Sequence, residues 1–154
     1  MKSIINIFLV VFGVFTIVSC ATDDSLPISQ DQLLRANKWQ LKEIRIVKNN
    51  VTTTDKLLAC ERNSTLDFTD IENFLRVDYK TSNGNCTETS SNGTYIFTTS
   101  GVNRRRIRMI TSTKDTLNYY MNQLDPYFMV LQDTLNKTPI DSLRLELRVY
   151  EAVK

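Results

Sequence analysis

The chain has 154 residues, a formal net charge of +2 and a hydrophobic content of 42%. That hydrophobic content argues against intrinsic disorder, and the small net charge provides no strong basic field to gather nucleic acid. The sequence contains no histidine, which removes the commonest general base and the commonest metal ligand.

The first 19 residues have the features of a secretory signal peptide. Lys2 supplies a positive charge, and residues 4–18 are apolar apart from three positions. This segment is shorter than the ~20 apolar residues that a transmembrane helix needs. A charged start and a short apolar centre are typical of a secretory signal. A transmembrane anchor or an uncleaved leader is the alternative interpretation.

The apolar segment ends in Ile17-Val18-Ser19-Cys20, which resembles the lipobox of bacterial lipoproteins. The resemblance implies cleavage before Cys20, a diacylglycerol on its thiol and an acyl chain on its amine. Several acyl chains hold a protein on a membrane stably, whereas one holds it only marginally. We therefore predict a signal peptide at residues 1–19, a lipidated tether at 20–28 and one domain at 29–154, with the membrane as partner.

Two acidic residues, Asp23 and Asp24, follow the cysteine closely. The pair resembles the export signal of surface lipoproteins in the Bacteroidetes, and Ala21 differs from the aspartate of inner-membrane retention signals. The expected location is the cell envelope, lipid-anchored at the outer membrane, and the pattern leaves open whether the protein faces the periplasm or the cell surface. The alternative is a short solvated tether without signal content.

A short helix is predicted at the start of the domain, within "ISQDQLLRANKW". Ser29 is a suitable N-cap, and Gln32 lies three residues later, so the two residues form a capping box. After Trp39 the hydrophobic pattern changes to a period of two, with a change of phase near Lys42 that predicts a β-bulge.

Eight strands with alternating apolar residues and short polar turns predict an all-β meander. The turn signals include Ser82-Asn83-Gly84-Asn85, Ser91-Asn92-Gly93 and Ser100-Gly101. Strands that each have one apolar face can bury those faces in a closed up-and-down barrel or in a two-sheet sandwich. The residues that mark the strands are Trp39, Leu41, Ile44, Ile46; Leu66, Phe68; Leu75, Val77, Tyr79; Tyr95, Phe97; Ile107, Met109; Leu117, Tyr119, Met121; Met129, Leu131; and Leu143, Leu145, Leu147, Val149.

Cys60 and Cys86 are predicted to form a disulfide, because two thiols in an exported protein normally pair. The second and third strands are expected to form a hairpin with a turn near residues 71–72. In an antiparallel hairpin the numbers of opposed residues have a constant sum, which for this turn is about 143. The numbers of the two cysteines add up to 146, so the cysteines are expected nearly opposite each other at the open end of the hairpin. The alternative is a pair of unpaired buried thiols.

The order of these features resembles the small lipocalin-like lipoproteins of the Bacteroidetes. The resemblance covers about residues 30–152 and rests on the short helix, "LLRANKWQL", Cys60 before "LDF", Cys86 before "GTYIF", and "MVLQ". It implies an eight-stranded antiparallel up-and-down barrel with Trp39 at its closed end, a lipid tail, and ligands that are mostly unknown. The usual Gly-x-Trp is replaced by Asn37-Lys38-Trp39.

The inward positions of such a barrel are the candidate ligand-binding residues, since methionine and aromatic side chains suit an adaptable apolar pocket. The predicted ligand is small and apolar or amphipathic; the alternative is an ordinary filled core. The candidates are Tyr95, Phe97, Met109, Tyr119, Met121, Met129 and Leu131.

Four arginines, Arg104, Arg105, Arg106 and Arg108, follow Gly101. They suit either a ring of cations at the barrel mouth that holds an anion or a solvated edge face that discourages edge pairing.

No catalytic function is expected, because the sequence shows no nucleophile elbow and no glycine-rich phosphate loop. We predict no cofactor, no metal site and no catalytic residue, and the sequence does not identify a protein partner. Two functions from different classes follow. The first is a ligand-binding barrel on the outer membrane, and the second is a non-enzymatic envelope scaffold or surface interaction module with a filled core.

Overall fold

A computed structural model of the chain describes residues 29–99, 105–134 and 144–153. The predicted signal peptide, Cys20 and the tether lie outside the described residues. The elements are helix α1 (Gln30–Arg35), strands β1 (Lys38–Lys48) and β2 (Val51–Asp55), a 3-10 helix (Glu61–Asn63), and strands β3 (Thr65–Asp67), β4 (Asn73–Ser82), β5 (Asn85–Thr99), β6 (Arg105–Thr111), β7 (Thr116–Leu124), β8 (Phe128–Thr134) and β9 (Arg144–Val153).

The sheet closes into an antiparallel up-and-down barrel, which confirms the fold prediction. Each strand from β3 to β9 pairs with the next, and β1 pairs with both β3 and β9. The closing ladder runs from Lys38 opposite Val153 to Lys48 opposite Arg144. The eight predicted strands form this barrel. Strand β2 was not predicted, and it extends β1 as a hairpin beyond the short strand β3.

Helix α1 closes one end of the barrel, and its predicted capping box is present. The Ser29 hydroxyl accepts from the Gln32 amide, and the Gln32 side chain accepts from the Ser29 amide. Leu34 projects from the helix into the core, and the Trp39 indole Nε1 donates to the Leu34 carbonyl over 2.8 Å. This hydrogen bond ties the closing helix to the start of β1. None of the helices in the described ranges is long and apolar enough to cross a membrane.

The predicted bulge in β1 is confirmed, because the register with β9 shifts between Leu41 and Glu43. Leu41 belongs to the buried core and Ile44 packs against it. Residues three positions apart in a regular strand lie on opposite faces. The extra residue at the bulge, Lys42, therefore allows Leu41 and Ile44 to lie on the same inner face.

The turn prediction was right at one site and wrong at another. Asn83 and Gly84 have φ values of 52° and 78° and connect β4 to β5. Ser91-Asn92-Gly93 forms no turn, because β5 continues through it. A Cβ atom at Gly93 would overlap the carbonyl of Ile110. This glycine therefore permits close approach of β6 and does not mark a chain reversal. The predicted turn at Ser100-Gly101 lies outside the described residues.

The predicted disulfide between Cys60 and Cys86 is present, with a Cα–Cα distance of 5.7 Å. The predicted β3–β4 hairpin is present in nearly the predicted register, with Leu66 opposite Arg76, but the two cysteines do not lie at its open end. Cys86 does not lie on the strand that pairs with β3; it follows the β4–β5 turn and is opposite Thr81. The bridge thus joins the loop before the 3-10 helix to the start of β5, and it fastens the β4–β5 hairpin to the β1 side of the barrel.

Loss of this bridge is expected to lower the free energy of unfolding by about 2–4 kcal/mol, mainly because the unfolded chain is less restricted. Cys60→Ser and Cys86→Ser should lower the urea midpoint equally, and the double variant should add almost nothing because either change removes the bond. Thiol titration of the unfolded, unreduced protein should find neither residue reactive. Two strictly additive losses would contradict a single shared bond.

Candidate functional site

A cavity of about 310 Å³ lies between the β1–β2 hairpin, the loop around the 3-10 helix, and strand β4. Ligand pockets occupy about 300–1,000 Å³, so this cavity suits a small molecule. It opens where the short strand β3 ends, because β2 pairs with β1 but not with β4. Its lining residues are Leu41, Ile44, Asp55, Lys56, Leu57, Glu61, Ser64, Arg76, Asp78, Tyr79, Lys80 and Arg148.

The cavity has walls of different chemistry. Leu41 and Leu57 belong to the core, and Ile44 packs against it, which gives an apolar side. The remaining lining is mostly polar, and among the described residues it carries four cationic and three acidic side chains, so an acidic head group is a better complement than a basic one. We call this the arginine cavity, after Arg76 and Arg148.

Arg76 lies on the inner face of β4. It is opposite Leu66, a core residue, and its side chain is 16% exposed. Its guanidinium contacts Asp78 twice. The Nη2 atom donates to Oδ1 over 3.0 Å, and Nε lies 2.7 Å from Oδ2 without hydrogen-bond alignment. A charge in this position requires such a partner, because burying an unpaired charge is costly.

Arg148 occupies the corresponding position on β9. Its Nε donates to the Glu146 carboxylate over 2.6 Å, and the Glu146 side chain is only 14% exposed. Burial opposes the charge of Arg148, but interactions with Tyr150, Tyr119 and Glu146 raise its pKa above the usual value. Arg148 is therefore cationic at every physiological pH.

Tyr150 lies between the two arginine pairs and the apolar core. Burial raises the pKa of its phenol, and the nearby Arg148 and Arg76 oppose that rise. Tyr150 is 5% exposed and belongs to the core cluster. It thus stays neutral and separates the charged part of the interior from the apolar part.

The charged interior reverses the expected orientation of two strands. On β4 and β9 the alternating apolar residues were expected to face inward, but Leu75, Val77, Leu145 and Leu147 lie on the face opposite the core. Arg76 shares a face with Leu66, and Arg148 shares one with Ile44, since directly opposed residues in an antiparallel pair lie on the same side. The inner face of these strands is therefore charged in the half that borders the arginine cavity.

These four charged residues were not predicted from the sequence. The available signal was a charge alternation of period two, Arg76-x-Asp78 and Glu146-x-Arg148. The same pattern occurs at Glu43-x-Arg45, where the ion pair lies on the outer face of β1. The pattern alone does not specify the face, so it does not distinguish an interior pair from a surface pair.

The seven candidate ligand-binding residues come together in the barrel core. Six are no more than 5% exposed, and Phe97 packs against them. None of them lines the arginine cavity. Trp39, predicted at the closed end, is fully buried there. The core residues are Tyr95, Met109, Tyr119, Met121, Met129 and Leu131.

Tyr95 ties this core to the closed end of the barrel. Its hydroxyl donates to the Asp70 carbonyl over 3.0 Å and lies 3.3 Å from the Asp31 carboxylate on α1. Burial is the main reason that its pKa is raised. The hydroxyl therefore serves as a neutral donor that connects the helix to the β3–β4 turn.

A second cavity, of about 370 Å³, lies on the outer face of β5, β6 and β7. Arg106 and Arg108 line it, so the side chains of these two arginines face outward from the barrel wall. Arg105 is on the opposite face of β6, and Arg104 lies outside the described residues. Within the described ranges, no group of three or more histidine, cysteine, aspartate or glutamate side chains is placed to hold a metal ion.

Comparison with known proteins finds no matching family model and no matching curated protein. A lipocalin-like protein from Bacteroides uniformis is similar over 78% of this chain and 99% of its own, with 14% sequence identity and a TM-score of 0.47. A redesigned β-barrel is similar over 84% of this chain and 100% of its own, with 11% identity and a TM-score of 0.43. The assignment of the fold rests on the strand pairing described above.

Glu146→Gln is expected to lower the free energy of unfolding by about 1–3 kcal/mol, because it leaves the Arg148 charge inside the barrel without its partner. The matched control is Glu43→Gln, which breaks the same pattern on the outer face and should cost about 0–1 kcal/mol. Urea unfolding measures both. Replacing the inner pair together, as Glu146→Leu with Arg148→Met, should restore most of the loss. Equal effects of the two glutamine variants would contradict the interior position of the pair.

Proposed function

We propose that this protein is a lipid-anchored envelope protein whose barrel binds a small amphipathic ligand in the arginine cavity. The observation that carries the proposal is the pairing of an apolar wall with two inward-facing arginines. An apolar tail fits against Ile44 and Leu57, and an acidic head group fits the guanidinium groups, which bind carboxylates in a fixed geometry. The protein acts by holding its ligand, without catalysis.

Anchoring at Cys20 is the second part of the proposal. It is supported by the lipobox-like Ile17-Val18-Ser19-Cys20 and by the acidic pair that follows. The proposed location is the outer membrane, with the barrel on a tether of residues 20–28. The described domain begins with α1 at the closed end of the barrel.

A scaffold without a ligand is the second candidate function. The favouring observation is that the seven methionine, aromatic and leucine candidates form a packed core. The arginine cavity is also near the lower limit of ligand pocket volumes. In this case the charged interior would serve only to close the barrel.

Filling the arginine cavity distinguishes the two functions. Ile44→Trp is expected to reduce binding of the anionic amphiphile 8-anilinonaphthalene-1-sulfonate at least tenfold, whereas Val47→Trp, on the opposite face of β1, should leave it unchanged. Lipid mass spectrometry on protein isolated from its native envelope should find an acidic amphiphile with wild type and Val47→Trp but not with Ile44→Trp. Isolated protein that is repeatedly empty, and dye binding that is equal in both variants, would favour the scaffold.

Cys20→Ala is expected to move the protein from the membrane fraction to the soluble fraction, because it removes the acceptor of the lipid. The barrel should remain folded, with an unchanged melting midpoint, since Cys20 precedes α1 and is not one of the disulfide cysteines. Fractionation after high-salt and carbonate washing measures the change. Retention of the variant on washed membranes would refute the lipid anchor without bearing on the arginine cavity.

A further inference from the structure

We propose that the outer face of β5, β6 and β7 is a membrane-contact surface that binds the anionic head groups of a phospholipid bilayer. The surface consists of six side chains that share one face of the three strands. We call it the basic groove, and its outward residues are Ile96, Thr98, Arg106, Arg108, Asn118 and Tyr120.

The strand register places these residues side by side. Arg106 is opposite Thr98 on β5 and Tyr120 on β7, and Arg108 is opposite Ile96 and Asn118. Directly opposed residues share a face, and the alternate residues Ile107 and Tyr119 belong to the buried core. The six side chains therefore face solvent together across three adjacent strands.

The charge of the groove is of one sign. Among the described residues that line its 370 Å³, the two charged side chains are Arg106 and Arg108, and none is acidic. This differs from the arginine cavity, where each arginine has a carboxylate partner. Basic residues next to an anionic membrane surface contribute about 1 kcal/mol each to binding, so a surface with two unopposed arginines is complementary to acidic head groups.

The apolar part of the groove suits the boundary between head groups and acyl chains. Ile96 is 54% exposed and Tyr120 is 39% exposed, and both are large side chains. The Arg106 guanidinium carbon lies over the Tyr120 ring, 4.8 Å from its centre, so the cation is in contact with an amphipathic aromatic group. Tyrosine and arginine are favoured at membrane interfaces because one part of each side chain is apolar and the other is polar.

Vesicle binding tests the groove without the anchor. The full mature chain with Cys20→Ala, which carries no acyl chains, is mixed with vesicles of phosphatidylcholine alone or with added phosphatidylglycerol, and bound protein is measured by co-sedimentation. Binding is expected only with phosphatidylglycerol and should weaken with salt. Arg106→Gln with Arg108→Gln should reduce the affinity about 30-fold, the equivalent of about 2 kcal/mol.

The matched charge control is Lys48→Gln with Arg144→Gln. These two exposed residues are opposite each other where β1 ends and β9 begins. The variant has the same net charge as the groove variant. It should bind like the parent chain. An equal loss of vesicle affinity in both double variants would show that the chain is attracted by its net charge alone, and it would overturn the basic groove as the contact surface. The absence of any vesicle binding by the parent chain would also overturn it.

The apolar contribution and the source of the head group have separate tests. Ile96→Ser is expected to weaken vesicle binding severalfold, whereas Val51→Ser, at an exposed apolar residue on β2, should not. Monomeric short-chain phosphatidylglycerol, below its micelle concentration, is titrated in parallel. Saturable binding of this soluble lipid without vesicle binding would indicate a small-molecule site and overturn the membrane-contact surface. Circular dichroism and melting midpoints confirm that each variant is folded.

Discussion

The pairing of β1 with β9 is the interaction on which the rest of the structure depends. It closes the sheet, so that neither strand leaves a long unpaired edge. The same ladder sets Leu41 opposite Tyr150 and Ile44 opposite Arg148. The bulge at Lys42 is required for this arrangement, because without it the residues after Leu41 would change face. Closure of the barrel and assembly of the arginine cavity are therefore one event.

The interior that results is divided into an apolar half and a charged half. The apolar half is sealed by Leu34 and Trp39, whose hydrogen bond holds the helix across the closed end. In the charged half, Arg76 and Arg148 each carry a carboxylate two residues away on their own strand. Such pairs contribute little net stability, because desolvation offsets their attraction. A binding function for the arginine cavity explains why charge is kept where apolar residues would pack, and this is the physical basis of the proposal.

Much of the fold was predictable because its signals are local. The Ser29–Gln32 capping box, the β1 bulge and the Asn83–Gly84 turn each depend on neighbouring residues and on backbone hydrogen bonding, and each was predicted correctly. The turn at Gly93 was not, because a glycine signals either a reversal or a close approach. Only the position of the Ile110 carbonyl on the next strand decides between them.

The sequence by itself determined the eight strands of the barrel, the helix cap and the pairing of the two cysteines. The tertiary structure decided which face of each strand points inward and therefore where the site lies. A period of two is symmetric, so Glu146-x-Arg148 reads the same whether the pair faces the core or solvent. The register of β9 against β1 removes that symmetry by placing Arg148 beside Ile44 and Tyr150 beside Leu41. That register is a contact between the two ends of the domain, more than 100 residues apart in the chain.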